Sequence, residues 1–64
     1  MITHLARLRK DAGITQAQLA ETVGVSRKTI NTVENRVFVP STILALKLAA
    51  ALEVPVEEIF SLER

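Results

Sequence analysis

The sequence predicts an all-α domain built from five short helices. Three observations carry that expectation. Apolar residues recur at helical spacing along most of the chain. Thr or Ser stands just ahead of three of these periodic stretches, with Gly or Pro between them, which is the punctuation of helix starts and stops. No stretch alternates for long enough to make a sheet, and the only aromatic residues are two phenylalanines.

A first helix is expected from His4 to Ala12, with Leu5, Leu8 and Ala12 on one face at i, i+3 and i+7. Gly13 ends it, because glycine accepts the left-handed conformation common just past a helix. Thr15 opens a second helix. Its hydroxyl can accept from a free backbone N–H, and Gln18 three residues on completes a Thr-x-x-Gln capping box. Leu19, Ala20 and Val23 form the apolar stripe of this helix, and Gly24 closes it. Ser26 caps a third helix after a two-residue turn, with Ile30 and Val33 facing inward. A loop through Arg36, Val37, Phe38, Val39 and Pro40 leads to Ser41, the cap of a fourth helix that reaches about Leu52. Pro55 falls in the first turn of a short fifth helix through Phe60, where proline is tolerated.

Composition narrows the function classes. Sixty-four residues with no repeat, low-complexity tract or linker are expected to form a single domain, residues 1–64, near the lower size limit for unaided folding. The 48% apolar content is ample for a core. There is no cysteine, so disulfides and thiolate metal sites are excluded, and with His4 the single histidine neither a metal site nor a cofactor is expected. The longest apolar stretch, Ile43 to Leu52, is broken by Lys47 and falls short of the ~20 residues that span a bilayer. The first residues lack a basic region followed by an apolar core, so no secretion signal is read there and a cytoplasmic location is expected. A Ser-His-Asp arrangement would have to draft His4, Asp11 and one of Ser26, Ser41 or Ser61, each with a simpler role as cap or surface residue. A bundle this small also leaves little room for a catalytic pocket, so no enzyme activity is expected.

The net charge of +1 is distributed unevenly. Residues 1–36 carry six basic side chains against three acidic ones, and residues 37–64 carry two against four. A basic half is a weak pointer to nucleic acid, equally compatible with ordinary surface scatter. Spacing says more. Thr15-Gln16-Ala17-Gln18-Leu19-Ala20, Gly24-Val25-Ser26, Thr29-Ile30 and Glu34-Asn35 fill the outline of a helix-turn-helix, two short helices joined by a tight glycine-containing turn. Ala20 is small where the second and third helices cross, and Gly24 turns the chain. Val25, Ile30 and Val33 plug the space between the helices, which fixes the angle at which the third helix can offer its outer face to a major groove.

This ordered set resembles the lambda-repressor-like, or xenobiotic-response-element, helix-turn-helix family. The likeness runs from Leu5 to Phe60 and includes Pro40-Ser41 and Val56-Glu57-Glu58-Ile59-Phe60. It implies a compact five-helix domain that binds double-stranded DNA sequence-specifically and regulates transcription, repression being the expected direction. The helix at about 27–35 would do the reading. It also implies a homodimer on a near-palindromic operator. No effector segment is visible, so no small-molecule ligand is expected. The chain departs from the family at Arg36, where members usually carry glycine; arginine is disfavoured at positive φ, so the end of the third helix must differ or be strained.

Carried onto single positions, the resemblance makes Ser26, Arg27, Lys28 and Thr32 base-reading residues, with Asn31 a further candidate for bases or backbone. Gln16 matches a phosphate-gripping position of the family. Thr29 on the outer face of the third helix, with Asn35 and Arg36 where the loop begins, are further candidates for phosphate contacts, which position a protein without carrying sequence information. Arg27 and Lys28 also stand out on physical grounds. They sit in the first turn of a helix, where positive charge opposes the helix dipole by about 0.3–1 kcal/mol each. They are either solvated surface charges or ligands for phosphate and guanine edges. Arg9 and Glu34 match a structural pair of the family that braces the third helix.

The fourth helix carries an apolar excess. Ala45, Leu48, Ala49 and Leu52 make a core stripe, which leaves Ile43, Leu44 and Leu46 outside it, and Leu62 has no evident place in so small a core. Either this helix is fully surrounded within the bundle, or Ile43, Leu46 and Leu62 form a dimer interface. The rival to DNA binding is a protein-interaction role for the same fold, as in a transcriptional bridging factor or an antitoxin, although the chain shows no long tail for such a partner.

Overall fold

Capping chemistry sets most of the element boundaries. In the computed structural model, which describes residues 1–62, the order is β1 (Ile2–Thr3), α1 (Leu5–Asp11), α2 (Gln16–Val23), α3 (Arg27–Glu34), α4 (Thr42–Leu52), α5 (Val56–Ile59) and β2 (Phe60–Ser61). The Thr15 hydroxyl accepts from the Gln18 N–H at 3.0 Å while the Gln18 side chain accepts from the Thr15 N–H at 2.8 Å, so the capping box is complete. The Ser26 and Ser41 hydroxyls cap α3 and α4 by accepting from the Thr29 and Leu44 N–H groups, each at 3.1 Å. Pro55 stands one position earlier than the sequence suggests, at the N-cap of α5 and not within its first turn.

The four longer helices close with one repeated device. A residue at the cap or just after it turns left-handed, its N–H bonds back into the last turn, and the next N–H reaches one residue deeper, which is the Schellman arrangement. For α1 these bonds are Gly13 to Lys10 and Ile14 to Arg9, at 3.0 and 3.3 Å. For α2 they are Gly24 to Glu21 and Val25 to Ala20, at 3.3 and 3.0 Å. For α3 they are Arg36 to Val33 and Val37 to Thr32, at 3.1 and 2.9 Å; for α4, Glu53 to Ala50 and Val54 to Ala49, at 3.3 and 3.1 Å. Gly13 and Gly24 adopt φ of 74° and 77° without steric cost. Arg36 and Glu53 adopt 64° and 56° against the preference of an L-residue. Arg36 thus keeps the path that glycine would take and carries the strain.

The core draws on every helix. Leu5, Leu19, Ile30, Val33, Leu48 and Ile59 have no exposed surface, and Ala20, Val23, Leu44 and Ala49 complete the cluster. α2 lies at its centre, packed on both α3 and α4. Two expectations about facing are corrected. Ala12 is exposed, because α1 ends at Asp11 and turns away at Gly13 before Ala12 can follow Leu5 and Leu8 inward. On α4 the inward stripe is Leu44, Leu48 and Ala49, with Ala45 and Leu52 half-buried, so Leu44 belongs to the core. α4 is not surrounded, since Ile43, Leu46, Lys47 and Ala50 remain exposed.

The otherwise helical domain also contains a small sheet. β1 and β2 pair antiparallel, Ile2 with Ser61 and Thr3 with Phe60, and the His4 N–H donates to the Ile59 carbonyl at 2.7 Å. Strands of two residues have no alternation to reveal them in sequence. Their pairing ties the start of the chain to the end of α5. No helix among the described residues is long and apolar enough to cross a membrane.

Candidate nucleic-acid interface

α3 is held from behind and open in front. Ile30 and Val33 anchor its inner face in the core, and the outer face presents Ser26, Arg27, Lys28, Asn31 and Asn35 to solvent, with Thr29 and Thr32 half-buried. Arg36, exposed and left-handed, follows directly. The first turn of α3 contains no acidic residue. Among the described residues Arg27 and Lys28 make no ion pair, unlike Arg7, which pairs with Asp11, and Arg9, which pairs with Glu34. Two unpaired cations therefore stand at the positive end of the helix dipole, on the face that points away from the core.

The brace is geometrically well formed. Arg9 Nε donates to Glu34 Oε2 at 2.6 Å and Nη2 to Oε1 at 3.3 Å, a bidentate pair whose side chains are only 11% and 6% exposed. Arg9 Nη1 donates to the Ile14 carbonyl at 2.9 Å, so one guanidinium joins α1, the α1–α2 turn and α3. Gln16 enters the same network from α2, its Nε2 donating to Glu34 Oε1 at 2.9 Å and to Asn31 Oδ1 at 3.3 Å. Three helices therefore meet at the Glu34 carboxylate.

These bonds refine what each candidate side chain has to offer. Asn31 Oδ1 accepts from both Gln16 Nε2 and Asn35 Nδ2, the latter at 3.1 Å, so the side chain faces outward as a donor. A bidentate reading of adenine would need its oxygen as well. The Thr32 hydroxyl donates to the Thr29 carbonyl at 2.9 Å, and the Thr29 and Ser26 hydroxyls are hydrogen-bonded to each other at 2.9 Å. Gln16 and Arg27 also border a cleft at the start of α2 together with Lys10. Sequence reasoning passed over Lys10, which it counted only in the charge balance; its place three residues before Gly13, just ahead of the turn into α2, was the available signal. It also passed over the second open cleft on this face, between α3 and the loop after it, whose lining includes Val37 and Phe38. Among the described residues no group of three or more His, Asp or Glu side chains gathers to hold a metal ion.

Comparisons with known proteins agree with this architecture. Residues 5–59 match the family model described as helix-turn-helix. An HTH-type transcriptional regulator of Bacillus subtilis, YgzD, is 41% identical over 63 residues, covering 98% of this chain and 96% of its own length. An HTH-type transcriptional regulator of Methanothermobacter thermautotrophicus is 45% identical over 64 residues, covering 98% of this chain and 93% of its own length. Among solved structures, the restriction-modification controller protein C.AhdI of Aeromonas hydrophila superposes with a TM-score of 0.82 at 36% identity, covering 88% of this chain and 85% of that protein. A family match over most of the chain, relatives of similar length, a shared fold and, in this chain, an exposed α3 with two cations in its first turn lead to one assignment: the chain belongs to the helix-turn-helix family of DNA-binding transcriptional regulators.

Proposed function

We propose that α3 enters the major groove of double-stranded DNA, with Arg27 and Lys28 reading base edges and Ser26, Asn31 and Thr32 completing the reading face. Gln16, Thr29, Asn35 and Arg36 contact the phosphates that flank it, with Lys10 adding charge beside Gln16. The observation that carries this reading is the pair of unpaired cations in the first turn of α3, a placement unfavourable for the helix alone that an external anion or acceptor would offset. The test is selection of duplexes by the purified chain, followed by binding measurements with Arg27→Ala and Lys28→Ala. Both variants should keep the fold and lose about 1–3 kcal/mol of specific binding where the lost contact is bidentate to guanine. Variants that bind the selected duplex as tightly as the parent would show that α3 is not the reading helix.

The working unit in this proposal is a symmetric homodimer joined through Ile43, Leu46 and Leu62, which are 68%, 57% and 86% exposed in the single chain. Leu46 lines an apolar cleft that shares Met1, Glu57 and Phe60 with the cleft lined by Leu62, so Leu46 and Leu62 border one continuous surface. A two-fold dimer would place its reading helices roughly 34–36 Å apart and select a near-palindromic operator. In this proposal the dimer represses, by occupying an operator that overlaps a promoter and so excluding the transcription machinery. The place of action in this proposal is the cytoplasm, where a DNA-binding regulator of a bacterial or archaeal cell meets the chromosome.

A further inference from the structure

The loop that follows α3 is apolar where it borders the reading face. Val37, Phe38 and Val39 are 77%, 45% and 69% exposed, and a loop placed only to follow a phosphate backbone would be expected to be polar or basic. Val39 lines the cleft on the Leu46 side, whereas Val37 and Phe38 border a separate open cleft with Lys28, Thr29 and Thr32 of α3. A comparison within the chain shows how unusual Val37 is. It is the residue after the left-handed position of a Schellman end, and its three counterparts, Ile14, Val25 and Val54, all pack against the core. Val37 alone of the four is left in solvent.

The threonines add to the apolar character. The Thr32 hydroxyl is committed to the Thr29 carbonyl and the Thr29 hydroxyl to Ser26, so the cleft wall they help form is mainly carbon, and its lining is predominantly apolar. Among the described residues the only charge on its border is Lys28, whose chemistry suits phosphate or guanine. The cleft is continuous with the reading face, and the major-groove edge of DNA carries one apolar group that such a cleft can take, the methyl on C5 of a pyrimidine.

Resting on the DNA-reading role proposed above, we infer that the cleft between α3 and Phe38 is a subsite for a 5-methylpyrimidine, with Phe38 and Val37 as specificity-determining residues. The 5-methyl group is the same in thymine and 5-methylcytosine, so both bases share the chemistry that the cleft recognises. Burying one methyl corresponds to roughly a fourfold change in affinity.

The experiment uses the full chain and the duplex it selects. Each thymine is replaced in turn by deoxyuridine, which removes the methyl and keeps the base pair. At the sensitive position a cytosine is then compared with 5-methylcytosine. One or two uracils per half-site should weaken the parent by roughly fourfold each, and Phe38→Ser should bind thymine and uracil duplexes alike. Val37→Ser gives a second variant, and both positions are exposed enough for the fold to survive. A gain from 5-methylcytosine over cytosine extends the subsite to methylated DNA; sensitivity at thymine alone restricts it to thymine, and either result supports it. Indifference to every uracil, or unchanged uracil sensitivity in both loop variants, overturns the subsite while leaving the reading helix intact. Failure to select any duplex overturns the underlying DNA reading instead.

Discussion

Replacing Glu53 with glycine should make this protein more stable, although it removes a side chain and adds none. Glu53 holds φ at 56° to close α4, and an L-residue there is disfavoured by about 1–2 kcal/mol. Glycine removes that strain, and the greater freedom it gives the unfolded chain offsets about 0.5–1 kcal/mol of the gain. The net expectation is about 0.5–1 kcal/mol of added stability. With a urea m-value near 1 kcal/mol per molar for so small a domain, the midpoint should rise by about 0.5–1 M at constant slope. Thermal melting should shift upward by about 2–8 °C, measured at one protomer concentration because association would contribute. Arg36→Gly relieves the same kind of strain at φ 64°, but on the proposed DNA face. It should stabilise the free protein while weakening DNA binding, with the slope of log K against log salt falling by about 0.9 per protomer for the lost phosphate contact. A Glu53→Gly variant whose midpoint is unmoved or lower would refute the strain argument. An Arg36→Gly variant with an unchanged salt slope would remove Arg36 from the phosphate contacts.

The brace, the phosphate grip and the dimer have their own tests. Glu34→Ala should cost about 3 kcal/mol of stability because it leaves the nearly buried Arg9 guanidinium without its carboxylate, and a double-mutant cycle with Arg9→Ala should give a coupling energy well outside error in urea unfolding. Gln16→Ala should weaken specific and non-specific DNA binding by similar factors, leaving the preference among duplexes unchanged in competition assays. Ile43→Lys with Leu46→Lys should shift sedimentation equilibrium at micromolar concentration from dimer to monomer, and a parent that is already monomeric would dismiss the interface.

Most of the fold was legible because local chemistry sets it. Thr15 with Gln18, Ser26 and Ser41 start helices by satisfying free N–H groups, and Gly13 and Gly24 stop them; those signals lie within a few residues of each other. What escaped reading was non-local or overruled a local preference. The β1–β2 pairing joins Ile2 to Ser61 across the whole chain and is too short to leave a pattern. Glu53 ends α4 left-handed without the glycine that would have announced it. On α4, where nearly every side chain is apolar, periodicity has no contrast, so the choice between Leu44 and Ala45 as inward residue depended on packing alone. The candidate site follows the same division. Arg27 and Lys28 were visible as cations at the wrong end of a helix dipole. The cleft bordered by Phe38 was not, because it exists only once the loop folds back beside Lys28 and Thr32.

The Glu34 carboxylate makes stability and recognition parts of one arrangement. Gln16 is the side chain proposed to grip phosphate, yet in the free protein both hydrogens of its amide are engaged, one to Glu34 at 2.9 Å and one to Asn31 at 3.3 Å. Giving up the first bond would deprive a nearly buried carboxylate oxygen of a donor, which is costly. Giving up the second releases only the exposed Asn31 oxygen, which keeps the donor from Asn35 and gains access to water. Binding would therefore exchange the longer, exposed bond for a charge-assisted one to phosphate, while the bond to Glu34 keeps the amide in place. On this reasoning Gln16 needs almost no reorganisation to bind. Its orientation is inherited from the same ion pair that joins α3 to α1, so the proposed phosphate grip and the proposed reading helix would keep a constant geometry with respect to each other.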